Sequence, residues 1–401
     1  MKYDFDRVVP RKNTNCMKWD DTDAIFGTKD IVPMWVADMD LPIAKPITDA
    51  IRERTEHEIY GYPIQKPLSV IKAVIDRMQR LYGWKVRPEW VLLLPGIIPA
   101  LYTTVKAFSC PGNEVILQGP VYHPFWSAIE DNGCHVSNNQ LILKNSTYEI
   151  DFEDLVGKFN NRENSLYTPS HPKLMLLCSP HNPVGRVWTV EELRRTGEIV
   201  IGNGAIVVAD EVHSELLFHN AKHTPFSTLS EEFEQHSITC ISPSKAFNLP
   251  GLYTSAIIIP SAGLRKRFLD AKKNFVPKVN VFGLIAMEAA YRYSDEWLEQ
   301  LMAYLHDNLE FLLDYFKRKI PKIAVIKPQG TYLVWLDCRK MGLSPATLQK
   351  FMIENAKVGL YEGSLFGPSG AGFVRMNIAC PRLLLVEALK RIECAVNNMR
   401  N

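Results

Sequence analysis

Six short apolar runs, separated by stretches with helical spacing, constrain this chain more than any other feature. They occupy residues 91–94, 115–117, 174–178, 205–209, 237–240 and 255–259. Most are continuously apolar rather than alternating, as strands are when helices cover both faces of a sheet. Helix candidates lie between them, such as residues 99–108, where Pro99 stands in a first turn that does not need its missing N–H. Strands alternating with helices predict an α/β fold with a mostly parallel, doubly wound sheet, spanning residues 45–290.

The pattern changes after about residue 290. Leu298, Leu301, Met302, Leu305, Leu309, Leu312, Leu313 and Phe316 recur at three- and four-residue intervals and predict one long amphipathic helix over residues 297–317. Strand-like runs follow at 331–336 and 373–378, each with a helix after it, at 345–357 and 381–399. Residues 291–401, joined by the N-terminal segment 1–44, are therefore expected to form a smaller α+β domain. The proline-rich stretch 33–67 is expected to cross between the two domains.

Composition removes several function classes. In 401 residues, 46% are hydrophobic and 22% charged, which is globular and not disordered. Lys+Arg 46 against Asp+Glu 44 leaves a net charge of +2, without the basic excess of a nucleic-acid-binding surface. The eight cysteines stand singly, with no CxxC pair, so neither a metal site nor a thioredoxin-type site is expected. The opening Met1-Lys2-Tyr3-Asp4-Phe5-Asp6 lacks an apolar leader, and no run approaches the roughly 20 apolar residues of a membrane span. The expectation is a reduced cytoplasmic protein with no membrane attachment.

Ligands of open α/β sheets bind outside the carboxyl ends of the strands, and four such ends here carry polar residues. After residue 94 comes Pro95-Gly96-Ile97-Ile98, where backbone N–H groups at a helix start can meet an anion approaching past Gly96. After residue 178, Ser179-Pro180-His181-Asn182-Pro183-Val184-Gly185 fixes Asn182 and its donor amide in a sharp turn. After residue 209, Asp210-Glu211-Val212-His213 places a carboxylate where burial demands a cation or strong donor, though adjacent Glu211 leaves open which carboxylate it is. After residue 240, Ser242-Pro243-Ser244-Lys245 brings two hydroxyls and a lysine, an amine that desolvation can turn into a base or a Schiff-base former. Each segment alone also reads as an ordinary turn, a helix cap or a surface lysine.

Together the four describe one ligand with a phosphate, a ring oxygen, a basic ring nitrogen and an aldehyde. That ligand is pyridoxal 5′-phosphate (PLP), whose aldehyde would meet Lys245, ring nitrogen Asp210, ring oxygen Asn182, and phosphate the Gly96–Ile98 helix end with Ser242 and Ser244. Tyr122, in Gly119-Pro120-Val121-Tyr122-His123-Pro124-Phe125, offers a flat side chain to stack on the ring.

The ordered motifs, with Arg375 in Gly372-Phe373-Val374-Arg375-Met376-Asn377, resemble the fold-type I PLP enzymes of the class I/II aminotransferase superfamily. Trp35-Val36-Ala37-Asp38-Met39-Asp40, Tyr60-Gly61-Tyr62, Asp210-Glu211-Val212-His213-Ser214 and Lys245-Ala246-Phe247-Asn248 resemble more narrowly its MalY/PatB-type cystathionine β-lyase (C–S lyase) branch. The resemblance runs over essentially the whole chain. It implies that Lys245 holds the cofactor covalently, Asp210 partners its ring nitrogen, Asn182 its ring oxygen, and Tyr122 stacks. It also implies that Arg375, with the backbone near Ala37 and with Asn182, binds the substrate α-carboxylate, the flat guanidinium giving a bidentate pair. Tyr62, in preference to Tyr60, resembles the tyrosine that reaches the neighbouring subunit's phosphate in a homodimer with shared sites. Two departures from the wider superfamily stand out. Tyr253 replaces an arginine eight residues after the lysine, and His213 replaces a tyrosine three residues after the aspartate.

The branch implies α,β-elimination from cystathionine or another cysteine S-conjugate, giving thiol, pyruvate and ammonia. The wider superfamily implies transamination, and some relatives also restrain a transcription regulator, so a protein partner is a further reading. No residue stands out as a clamp for a distal substrate carboxylate.

Overall fold

The computed structural model describes residues 1–64, 66–160, 171–218 and 221–399. Residue 65 of the proline-rich stretch lies outside these.

Seven strands build the principal sheet: β1 (Val91–Leu94), β2 (Glu114–Leu117), β3 (His135–Asn138), β4 (Leu174–Cys178), β5 (Ile206–Asp210), β6 (Ser237–Ile241) and β7 (Ser255–Ile258). Their spatial order is β1-β7-β6-β5-β4-β2-β3. Neighbours run parallel except at β7, which is antiparallel to both β1 and β6. Every residue of β4, β5 and β6 is buried. Side chains alternate across the pleat, so each of these strands feeds two cores. Leu174 and Leu176 join Leu101, Val105 and Phe125 on one face, and Met175 and Leu177 join Leu193 and Val200 on the other. Demand for apolar residues on both faces is what makes the runs continuous. Strand β3 was not foreseen, because its His-Val-Ser-Asn sequence is polar; it pairs only with β2, at the sheet edge.

The C-terminal part carries a four-stranded antiparallel sheet of β8 (Ala324–Ile326), β9 (Leu333–Asp337), β10 (Tyr361–Glu362) and β11 (Phe373–Asn377), in the order β8-β9-β11-β10. The long amphipathic helix is present as Asp295–Lys319, with Leu301, Leu305, Leu309, Leu312 and Phe316 fully buried along one stripe. Two expected boundaries move for backbone reasons. Thr331 has a φ of 69°, so the strand begins only at Leu333. The helix after Pro345 widens into a π turn at Phe351–Asn355 and ends before Lys357, whose φ is 53°. The N-terminal segment reaches this part through Val32–Pro33, which pairs in parallel with Val358–Gly359. One apolar cluster joins Val74, Ala256 and Met287 to Leu305, Leu333 and Leu389, so the core continues from the large sheet into the smaller one.

Candidate active site

A cavity of about 1110 Å³ opens at the carboxyl edge of the large sheet. Its walls include Ala37, Gly96, Ile97, Ile98, Tyr122, Asn182, Asp210, His213, Ser242, Ser244 and Lys245. The expected residues thus converge from six separate stretches of chain. Arg375 stands directly behind this wall, joined to it through Asn182.

Gly96 precedes helix Ile97–Phe108 with φ 110° and ψ 169°, a backbone region that favours glycine. No side chain caps this helix, so its first N–H groups face the cavity, an arrangement suited to an anion. Across the cavity, Ser242 is the N-cap of the short helix Pro243–Ala246. Its Oγ accepts from the Ser244 N–H at 3.1 Å, donates to the Thr254 carbonyl at 2.6 Å, and lies 2.7 Å from Ser244 Oγ. The two hydroxyls expected to act alike are therefore different: Ser242 spends its one proton on the Thr254 carbonyl and builds the turn, whereas Ser244, donating to Ser242 Oγ, can turn its proton to a ligand.

Strand β5 ends in Asp210. Its carboxylate accepts the Val212 N–H at 3.1 Å, and burial pushes the acid up to about 7. A carboxyl with so little compensation is poised to share a proton with a basic ring nitrogen. Glu211, the alternative, points away: its Oε1 accepts the Phe226 N–H at 2.8 Å and its Oε2 lies 2.9 Å from His223 Nε2. His213 is buried, and burial aided by Lys245 and Arg375 keeps its imidazole neutral. Its Nδ1 has no hydrogen-bond partner among the described residues.

Lys245 Nζ donates to the Ala37 carbonyl at 2.7 Å. Burial, reinforced by positive Arg375, lowers the amine to about 8 against the pull of Asp38 and Asp210. Arg375 is 1% exposed and has no carboxylate partner among the described residues. Its guanidinium donates to Asn182 Oδ1 and to the Trp35 carbonyl, each at 3.0 Å, and packs on the rings of Tyr361 and Phe366. Its Nε finds no partner, and burial pushes its pKa down to about 10. A buried cation without a counter-ion calls for an anion, and Asn182, bonded to it, keeps its amide N–H groups for a second acceptor.

Tyr62 is the one expected residue outside the cavity wall and its immediate backing. Its side chain is 97% exposed, whereas Tyr60 packs on Phe282 and beneath Arg54 in its own chain. Tyr253 reaches the cavity in the left-handed region, with φ 45°. Sequence reasoning missed Tyr332, Asn377 and Asn248, which hold the Val36–Leu41 stretch against the site. Asn377 lies two residues after Arg375 on β11, and that spacing puts both on one face of the strand.

These groups fit PLP on observations of the chain itself. They are an uncapped helix start for a phosphate, an under-compensated buried acid for a ring nitrogen, a desolvated amine for an aldehyde, and an orphaned cation for a substrate carboxylate. Comparison with known proteins agrees. The aminotransferase class I and II family matches residues 30–392. Cystathionine β-lyase PatB of Bacillus subtilis is 43% identical over 396 residues, covering 98% of this chain and 100% of that protein. Cystalysin from Treponema denticola, whose crystal structure contains PLP, is 31% identical with a TM-score of 0.94 and 100% of both chains covered. The PLP-bound C–S lyase of Staphylococcus hominis is 30% identical with a TM-score of 0.91, covering 99% of this chain and 98% of that one. The fold is that of the fold-type I PLP enzymes, and with a family match reaching from the N-terminal segment into the last helix, the chain belongs to the class I and II aminotransferase family.

Proposed function

We propose that this protein is a PLP-dependent carbon–sulfur β-lyase, releasing thiol, pyruvate and ammonia from cystathionine or another cysteine S-conjugate. The observation that carries the reading is the pairing of Lys245, an amine lowered to about 8 at the cavity wall, with Arg375, a buried cation that lacks a counter-ion among the described residues and is joined to the same wall through Asn182. The choice of elimination over transamination follows the likeness to PatB and to the Staphylococcus hominis lyase.

PLP, when bound, draws electrons away from the substrate α-carbon. The chain's residues do the rest. Arg375 binds the α-carboxylate through two N–H groups, assisted by the backbone at Ala37. Lys245 holds the cofactor and, as a free amine, takes the α-proton and becomes ammonium. The C–S bonding pair leaves with sulfur, which takes a proton back from the Lys245 ammonium and departs as thiol; one water then hydrolyses the released unsaturated amine to pyruvate and ammonia. Asp210 would keep a proton on the ring nitrogen, Tyr122 and His213 would pack against the ring, and Asn182 would donate to the ring oxygen. The Gly96–Ile98 helix start and Ser244 hold the phosphate, with Ser242 bracing the turn.

The phosphate site is completed in a homodimer, by Tyr62 of one chain entering the cavity of the other. The Tyr62 side chain supports this, because it stands almost fully exposed among the described residues. Residues 45–290 form the cofactor-binding domain, and residues 1–44 with 291–401 the smaller domain. Among the described residues no helix is long and apolar enough to cross a membrane.

Incubation of the purified protein with cystathionine, with no 2-oxo acid added, tests the reading. Pyruvate and ammonia in equal amounts are expected. Turnover that appears only when a 2-oxo acid is supplied would make the protein an aminotransferase instead.

A further inference from the structure

The Ala37 carbonyl is the acceptor for two side-chain donors. Lys245 Nζ reaches it at 2.7 Å and the Tyr332 hydroxyl at 3.0 Å. The peptides on either side are held by one side chain: Asn377 Nδ2 donates to the Val36 carbonyl and to the Asp38 carbonyl, both at 2.6 Å. Its Oδ1 accepts the Ala379 N–H at 2.8 Å, so both ends of the amide are in use. Asn377 is 1% exposed and Tyr332 fully buried. Two carbonyls fixed by one amide leave the residue between them little freedom to rotate. The direction of the Ala37 carbonyl is therefore set by Asn377, and its remaining acceptor strength by Tyr332.

We propose that Asn377 and Tyr332 are positioning residues for Lys245, acting through the Ala37 carbonyl to fix where the amine sits and how readily it holds a proton. The inference rests on the reading of Lys245 as the base at the substrate α-carbon. The two residues act in opposite senses. A hydrogen bond that favours the charged form of a group raises its pKa. Tyr332 shares the carbonyl with the amine and weakens that bond; Asn377 keeps the carbonyl aimed at the amine and strengthens it. The other groups facing Lys245 are Arg375 on β11, Asp38 beside Ala37, Asp210 at the end of β5 and neutral His213 after it. Neither Tyr332→Phe nor Asn377→Ala changes the charge of any of them.

The test uses holoenzyme saturated with 2-methylalanine, an amino acid with no α-proton to lose, so that Lys245 is present as a free amine. Lysine labelled with carbon-13 at the ε-carbon reports its titration by NMR, with Lys245→Ala assigning the resonance. The pH profile of kcat on cystathionine is measured beside it. Tyr332→Phe should raise the amine's pKa by about half a unit to one unit and move the acid limb of kcat with it. Asn377→Ala should lower the pKa and reduce kcat about tenfold or more. Shifts in the same direction, or none, would overturn the proposal. Should Asn377→Ala not fold, Tyr332→Phe decides alone, and an unmoved pKa counts against the idea. Wild-type protein that yields no pyruvate defeats the lyase reading; a wild type that yields it while Tyr332→Phe titrates unchanged defeats this inference.

Discussion

Asp210 and Glu211 are consecutive residues whose carboxylates lie on opposite sides of the backbone. The first borders the cavity, accepting the Val212 N–H at 3.1 Å; the second is taken up by the Phe226 N–H at 2.8 Å and by His223 Nε2 at 2.9 Å. Strand β5 ends between them, and the change of direction divides one acidic pair into a site residue and a structural one.

That division makes the two substitutions unequal. Asp210→Asn should retain PLP with weaker affinity and lose about three powers of ten in kcat, roughly 4 kcal/mol of transition-state stabilisation. Glu211→Gln should keep kcat within about tenfold while lowering stability by about 1–3 kcal/mol, as a buried hydrogen-bond pair is disturbed. Steady-state kinetics and denaturant unfolding of both variants check this. Near-normal turnover in Asp210→Asn would remove the aspartate from the ring nitrogen.

Lys245 should be the covalent attachment point. Borohydride reduction of the yellow holoenzyme, followed by peptide mapping, should place the pyridoxyl label on Lys245, and Lys245→Ala should carry no label. Because a base acts in its neutral form and burial lowers this amine to about 8, kcat should rise with pH towards about 8 and level off above it. A profile that falls over the same range would contradict the assignment.

Arg375→Lys keeps the charge and loses the flat, two-pronged donor. One charge-assisted hydrogen bond is worth about 1.5–3 kcal/mol, so kcat/KM should drop roughly ten- to hundredfold. The loss should fall mainly on KM. An unchanged KM would place the substrate carboxylate elsewhere.

Much of this was legible in the chain, for reasons that also explain the gaps. Strands β4 and β5 are buried on both faces, and their apolar runs announce them; β6 is buried as well, though its Ser237 and Thr239 alternate with apolar residues and are met by Ser227. Edge strand β3 needs no such composition and gave no signal. The reversed direction of β7 is invisible in Ser-Ala-Ile-Ile, which reads alike either way. At the site, residues that meet a ligand sit at strand ends and could be found by position. Ser242 and Ser244 looked equivalent because sequence shows the hydroxyls but not the Thr254 carbonyl that takes one of them. Asn377 could have been found from the alternation of β11, two places beyond Arg375. Tyr332 could not, since its role depends on Ala37, far away in the chain.

The shared-site dimer is tested by complementation. Lys245→Ala and Tyr62→Ala are each expected to be nearly inactive as pure proteins. In a mixed dimer one site carries both lesions and the other neither, so up to about half the wild-type activity should return, as two-fold symmetry requires. If subunit exchange is demonstrated and no activity appears, Tyr62 works in its own chain.

The reversal of β7 has a consequence for how this site can change. Ser255, at its start, pairs with Leu94 at the end of β1, and Ala256 pairs with Ile241 at the end of β6. The chain therefore leaves β6 and re-enters the sheet from the same edge, without the long crossover that a parallel strand needs. Lys245 and Tyr253, eight positions apart, both reach the cavity within this one excursion, and Ser242 is tied to Thr254 across its base. Surface loops ordinarily tolerate insertions; this one is anchored at both ends to the floor of the cavity. A residue gained or lost anywhere between 242 and 254 would displace the amine and the rim together, so this stretch, outside Ser242, Ser244, Lys245 and Asn248, can vary in side chain but not in length.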